Sequence, residues 1–281
     1  MLARATELEI RSTGACLAAL FGLGARDIQP GPFMRLGDGG QRDEGFWLRA
    51  DPVHLAPDRD QLVLMPPEIL AVQQAELEAL AATFDTTYGG EGWHLEFFPE
   101  CRGYLRAPGV LDASTHDPAP FVGGPVLAAM PDGPDGTRLK QLMNEIQMLF
   151  HVHAVNAARE EAGLAPINSL WLWGGGRLPA ATGVAPRRIV SDLALLGGLA
   201  SWAGQSAVKP RTAAQTAVGD LIGLAAGDMD ALERDWFGPL LKIVKSGALG
   251  VLDIHLEGLG DFTLGPGEAR RFWRRSRPVT S

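Results

Sequence analysis

Two cysteines, Cys16 and Cys101, are all that the 281 residues contain. Thiols this few and this far apart make neither a disulfide framework nor a cysteine zinc cluster, and they suit a reducing cytoplasm. Positive charge is also short, with 25 Lys and Arg against 33 Asp and Glu and a formal net charge of -8. Nucleic acid and anionic membranes both require a positive face, so neither is expected as a partner. The one basic segment, "RRFWRRSRP" near the C-terminus, reads as solvated arginines offsetting an acidic body. No apolar run approaches the roughly 20 residues of a membrane span. The opening "MLARATELEI" carries acidic residues and lacks a long apolar core, so it does not read as a secretory signal. The phosphate loop GxxxxGK[ST], the dinucleotide turn GxGxxG, the GxSxG elbow and the HExxH zinc helix are all missing. There is no internal repeat and no low-complexity tract.

What is present is ordinary globular composition, 46% hydrophobic and 21% charged, enough for one large or two smaller domains. "TGACLAALFGLG" begins a helix that is broken by Pro30, Gly31 and Pro32. "FWLRADPVHL" and "DQLVLMPPE" read as strands, Glu68 to Phe84 as an amphipathic helix, and "GWHLEFFPE" with "RGYLRAP" as a hairpin. Phe46 to about Pro108 is therefore a β–β–α–β–β module, followed by a Pro/Gly/Asp-rich linker to Gly136. The periodicity predicts one long helix from Thr137 to Gly163, with Gly163 as its cap. "INSLWLW" is apolar on both faces, the pattern of a central parallel strand covered by helices. Leu232 to Val244 reads as a further helix, and "GALGVLDIHLEGLGDFTL" as a late strand or hairpin.

"WLWGGG" (Trp171–Gly176) sets the bulkiest side chains against the smallest. Glycines let a strand turn tightly at its end, and in an open parallel sheet that end is where ligands bind. Both a plain turn and a ligand edge fit; the tryptophans read as core. On the long helix the apolar stripe Leu139, Leu142, Ile146, Leu149 continues into His153 and Asn156. A polar group on a buried stripe needs a partner, either a hydrogen bond within the core or a ligand. His151 and His153 diverge on a helix and are no zinc pair. In "DIHLEGLGD", Asp253, His255, Glu257 and Asp261 share one strand face and offer a weak metal candidate, chiefly Asp253 and His255.

Taken together, "HAVNAAREEAGLAPINSLWLWGGG" resembles a segment of the archaeal-type, cofactor-independent phosphoglycerate mutases. The matching residues are His153, Asn156, Arg159, Gly163, Asn168, Trp173, Gly174 and Gly176. "VSDLALLGGLASWAG" is similar to a later helix of that family through Ser191, Asp192, Leu193, Gly198, Ala203 and Gly204. "WLRADPVHL" and "CRGYLRAP" are similar to the arginine-bearing strands of its inserted domain. The likeness spans about residues 46 to 205, and is closer still to the bacterial RpfE-type regulatory proteins through "WLRADPVHL", "NEIQML" and "PINSLWLWGGG".

The resemblance implies an α/β fold: an alkaline-phosphatase-like, mostly parallel sheet flanked by helices, with an inserted α+β domain. Residues 1–45 and 137–281 would form a degenerate core, and 46–136 the insertion with its linker. It also implies two metal ions and a serine nucleophile, and here the chain departs. "MLARATELEI" holds neither the apolar strand ending in Asp-Gly nor the serine, which a longer N-terminus would supply in part. Asp38 and Gly39 follow no apolar strand, and the C-terminal third has no Asp-His dipeptide. What remains is the binding half: Arg49, Arg102, Arg106, His153, Asn156, Arg159, Asn168, Gly174 and Gly176 as candidate ligand-binding residues. Arginine forks suit carboxylate and phosphate.

The expectation is a non-catalytic, cytoplasmic regulatory protein that binds a small phosphorylated or carboxylated metabolite between core and insertion. No cofactor is predicted. Two alternatives stand beside it: an active mutase using manganese or magnesium, and a protein-interaction module with a vestigial cleft, acting on a protein partner or as a homo-oligomer.

Overall fold

A computed structural model describes residues 6–7, 12–59, 61–225, 227–257 and 259–270. The basic C-terminal segment beyond Arg270 lies outside the described residues. The chain divides into two units, Gln29–Pro179, and Met1–Ile28 with Ala180–Ser281.

The chain opens with β1 (Thr6–Glu7) and α1 (Thr13–Phe21). Ser12 starts α1 by accepting the Ala15 N–H, and Gly22, left-handed at φ 64°, ends it.

The unit Gln29–Pro179 then runs α2 (Pro30–Gly37), β2 (Phe46–Val53), β3 (Leu55–Asp58) and β4 (Gln61–Leu64). It continues with α3 (Gln74–Tyr88), β5 (His94–Phe98), β6 (Arg102–Ala107), α4 (Gly136–His151), α5 (Ala154–Glu161) and β7 (Ser169–Gly176). The β–β–α–β–β order read from the sequence is present, and "GWHLEFFPE" with "RGYLRAP" is the antiparallel pair β5–β6. The helix expected from Glu68 starts later: Pro67–Ile69 is one 3-10 turn and Ala71 takes φ 42°. Glu76 then accepts the Gln73 N–H at 2.8 Å to cap α3.

The sheet corrects the expected parallel architecture. Its order is β5-β6-β2-β7, antiparallel at every pairing. "WLWGGG" is an edge strand, not a central one, and it is apolar on both faces for a different reason. Leu170 and Leu172 enter the main core with Leu139, Leu142 and Ile146 of α4. Trp171, on the reverse face, joins Val53, Leu55, Leu64, Val126 and Phe121. Phe121 stacks on it at 6.3 Å, so a loop between β6 and α4 does the work that a crossover helix does in a parallel sheet.

The glycines do not turn the chain either. Arg49 pairs with Trp173 but Trp47 with Gly176, so β7 carries one residue more than β2 across this stretch. Gly174 sits at φ 62°, a left-handed conformation open to glycine in such a bulge.

The single long helix expected from Thr137 is two. α4 stops at His151, and His153 is extended (φ -77°, ψ 141°) before α5 begins.

The chain returns to the other unit for β8 (Arg188–Val190), α6 (Ala194–Trp202), β9 (Asp220–Ile222), α7 (Met229–Leu232), α8 (Gly238–Ser246), β10 (Leu252–Leu256), β11 (Gly260–Leu264) and α9 (Pro266–Ala269). β8 and β9 are the one parallel pair of strands among the described residues. β10 and β11 form the expected hairpin, extended by β1 into an antiparallel sheet. α2, α4, α5 and β7 lie in one unit with β2–β6. No helix among the described residues is long and apolar enough to cross a membrane.

Candidate functional site

A cavity of about 550 Å³ lies inside the unit Gln29–Pro179. β2 lends it Arg49 and Asp51, the β5–β6 connection lends Glu100, Cys101 and Arg102, and the segment before α3 lends Leu70, Ala71 and Val72. Three of its wall residues, Ala71 (φ 42°), Glu100 (φ 64°) and Cys101 (φ 59°), hold left-handed backbones that side chains disfavour. Such strain costs of order 1–3 kcal/mol per residue and gathers at ligand sites.

Arg49 and Asp51 alternate on one face of β2, which turns both toward the same side. Arg49 is 5% exposed. It donates to the Tyr104 hydroxyl at 3.0 Å and pairs with Asp51, while its Nε–H has no partner. Asp51 also accepts the Trp173 Nε1–H at 2.7 Å. Burial pushes the Asp51 carboxyl above the usual carboxylate range, while the Arg49 guanidinium and the Trp173 N–H pull against it. Arg102 forks onto Asp38 with two bonds of 2.7 Å and also pairs with Glu100. Tyr104 donates to the same Asp38, and burial first, then Asp38, raise its hydroxyl far above the ordinary tyrosine value. One chain of bonds thus joins Asp38, the residue that follows α2, to β6, β2 and β7. Two arginines face three carboxylates on the cavity wall, Asp51, Glu68 and Glu100.

Of the nine residues the sequence put forward for ligand binding, Arg49 and Arg102 line the cavity. Arg106 is exposed on β6, opposite Trp47 and His94. The rest hold the fold. His153 caps α5: its Nδ1 accepts the Val155 N–H at 3.1 Å, so the ring proton sits on Nε2 and is donated to Thr83 Oγ1 at 2.9 Å. Asn156, 2% exposed, donates to Phe150 O and Ile167 O and accepts the Ile167 N–H. Asn168 both donates to and accepts from the Leu55 backbone. Arg159 grips Ala165 O, Leu70 O and Glu76. A Cβ on Gly174 would meet Pro30 at 2.9 Å, and one on Gly176 would meet Gln29 at 2.5 Å. Asp51, Tyr104, Asp38 and Cys101 were not anticipated. The signal for Asp51 was in "WLRADP", where charges two apart on an apolar strand mark a buried polar face.

The cap role of His153 gives an expected outcome. His153→Ala should lower stability by about 1 kcal/mol, and His153→Asp should recover most of it, because aspartate caps helices well. Denaturant midpoints check both; unchanged stability in His153→Ala would remove the cap role.

The resemblance implies two divalent ions. Among the described residues one group of His, Cys, Asp and Glu is close enough to share an ion: Cys16, His255 and Asp261, within 4.8 Å of one another. Three donors serve one ion, so they do not fit a two-ion clamp and support no phosphoryl-transfer step through one. Asp253, expected beside His255, is exposed and accepts the Thr263 hydroxyl at 2.8 Å instead.

No family model matches the chain. A probable 2,3-bisphosphoglycerate-independent phosphoglycerate mutase of Geobacter sulfurreducens is 27% identical over 234 residues, covering 79% of this chain and 57% of the relative. The 2,3-bisphosphoglycerate-independent phosphoglycerate mutase of Methanosarcina barkeri is 28% identical over 205 residues, 68% of this chain and 50% of the relative. A solved cofactor-independent phosphoglycerate mutase from Thermoplasma acidophilum is 18% identical, covering 94% of this chain and 79% of that one, with a TM-score of 0.44. The chain spans about half the length of these two curated relatives. The sequence likeness supports the phosphoglycerate-mutase resemblance at low identity.

Proposed function

We propose that this phosphoglycerate-mutase-like chain is a regulatory binding protein, and that it takes a small phosphorylated or carboxylated metabolite in the cavity beside Arg49. The supporting observation is Arg49 itself, a buried guanidinium on the cavity wall whose Nε–H has no acceptor. A buried donor left unmet costs about 1–3 kcal/mol, and a ligand oxygen removes that cost once the guanidinium turns its Nε–H toward the cavity. The wall carboxylates oppose a bare anion, so the ligand also brings hydroxyl groups that donate to Asp51 or Glu100. A phosphoglycerate has both kinds of group. The mismatch between the one three-donor cluster among the described residues and a two-ion clamp favours binding over turnover.

Thermal shift and titration calorimetry with 3-phosphoglycerate, glycerate and inorganic phosphate test the reading. The two glycerates should raise the melting temperature, with a gain of about 2.7 kcal/mol at a hundredfold excess over Kd. Arg49→Lys should weaken binding about tenfold, since an ammonium lacks the fixed Nε–H direction. No shift with any probe overturns the binding site and leaves an interaction module. Conversion of 3-phosphoglycerate to 2-phosphoglycerate with Mn²⁺ overturns the regulatory role in favour of an active mutase.

A further inference from the structure

The cluster in the other unit has a chemistry of its own. Thr13 and Cys16 lie three residues apart on α1, so they share one face of that helix. α1 packs against β10. There His255 stands directly opposite Asp261 in the β10–β11 register. Asp261 Oδ1 lies 2.6 Å from His255 Nδ1, and Thr13 Oγ1 lies 2.8 Å from Nε2. The side chain of His255 is 17% exposed and that of Asp261 4%. A sulfur, an imidazole nitrogen and a carboxylate oxygen thus converge from three elements, each within 4.8 Å of the others.

We propose that Cys16, His255 and Asp261 bind one thiophilic divalent transition ion, of the zinc or cobalt class, with water in the fourth position. Calcium and magnesium demand all-oxygen shells and are excluded by the thiolate and imidazole. Donors at zinc distances on a tetrahedron stand about 3.3–3.8 Å apart, so the three groups need only small side-chain rotations to meet one ion. The His255–Asp261 hydrogen bond is shorter than that spacing and opens on binding. In the ion-free protein Nδ1–H donates to Asp261; on binding the ring proton moves to Nε2, which donates to Thr13 Oγ1, and the freed Nδ1 lone pair faces the ion. The Cys16 thiol proton goes to solvent. The ion would staple the first helix to the C-terminal hairpin. This site is independent of the cavity beside Arg49, which lies in the other unit.

Titration of the chelator-stripped full chain with Co²⁺ tests it. The expected result is one cobalt per chain, tetrahedral visible bands, a thiolate-to-cobalt charge-transfer band, and displacement of all of these by Zn²⁺. Cys16→Ser should abolish the charge-transfer band. Asp261→Asn should weaken binding about tenfold or more, while Asp253→Asn should leave it unchanged. Circular dichroism confirms that each variant folds. For the unmodified chain, Zn²⁺ and not Mg²⁺ should raise the melting temperature. Absence of the band in the parent chain, or its persistence in Cys16→Ser, overturns the site.

Discussion

Arg159→Met is expected to destabilise the protein by about 3–5 kcal/mol, the range seen when one partner of a buried charged network is removed. The side chain of Arg159 is 1% exposed. Its fork reaches three ways: to Ala165 O at 2.8 Å, to Glu76 at 2.7 Å and to Leu70 O. Each contact belongs to a different segment, so the loss is distributed. The Leu70 and Ala165 carbonyls lose a donor, and Glu76 keeps only its cap bond to Gln73. Arg159→Lys should recover no more than about 1–2 kcal/mol, because a single ammonium cannot point in three fixed directions. Glu76→Gln should cost less than Arg159→Met, since both carbonyl bonds persist. Urea midpoints at constant slope measure all three. Leu70 also lines the cavity, so Arg159→Met should lower affinity there indirectly. A stable Arg159→Met with lost affinity would instead make Arg159 a group that touches the ligand.

That prediction shows where sequence reasoning stopped. The run His153, Asn156, Arg159 reads as one polar stripe on a continuous helix, and a polar stripe suggests a ligand. The helix breaks at Val152 and His153, without glycine or proline, because an imidazole can accept the first free N–H of α5. Periodicity does not register a histidine cap. Asn156 and Arg159 then find backbone carbonyls supplied by the 165–167 loop and by Leu70, partners whose nearness depends on tertiary folding. The strands were legible, since short runs bearing aromatic residues and leucine, bounded by Pro and Gly, mark β2, β5 and β6. Their direction was not. A strand buried on both faces looks the same under a helix as under the loop that carries Phe121 and Val126.

The cavity was legible in half. Arg49 and Arg102 were singled out as oxyanion donors, yet both arrive already paired with Asp51, Asp38 and Glu100. Composition foretells this, because 33 acidic residues outnumber 25 basic ones. In such a chain a buried arginine meets a carboxylate unless the fold prevents it. On the proposed reading, a ligand is selected by the buried donor without a partner, the Nε–H of Arg49, together with the carboxylates beside it. The recognition expected is of an oxygen acceptor flanked by hydroxyl donors, which a simple anion does not offer.

Gly103→Ala should be about as damaging as Arg159→Met, for a purely steric reason. Gly103 lies on β6 between Arg102 and Tyr104, and a Cβ there would stand 2.0 Å from Ala50 O and 2.6 Å from Phe97 Cε1. Its φ is not left-handed, so space and not conformation excludes alanine. Ala50 is fully buried, and its carbonyl belongs to a central strand that cannot rotate away as a side chain would. Overpacking usually costs about 1–3 kcal/mol; a backbone clash with no rotamer escape belongs at or above the top of that range. β6 must lift from β2, and it carries Arg102 and Tyr104 with it. The Asp38 contacts and the Arg49 bond then fail together, so the affinity proposed for 3-phosphoglycerate should be lost along with stability. Gly89→Ala is the matching control, since nothing lies within 4 Å of its added Cβ and its φ of -60° suits alanine. It should be neutral or stabilising by about 0.4–1 kcal/mol through the unfolded state. A Gly103→Ala protein within about 1 kcal/mol of the parent, binding as before, would mean that β2 and β6 do not approach as closely as this geometry requires.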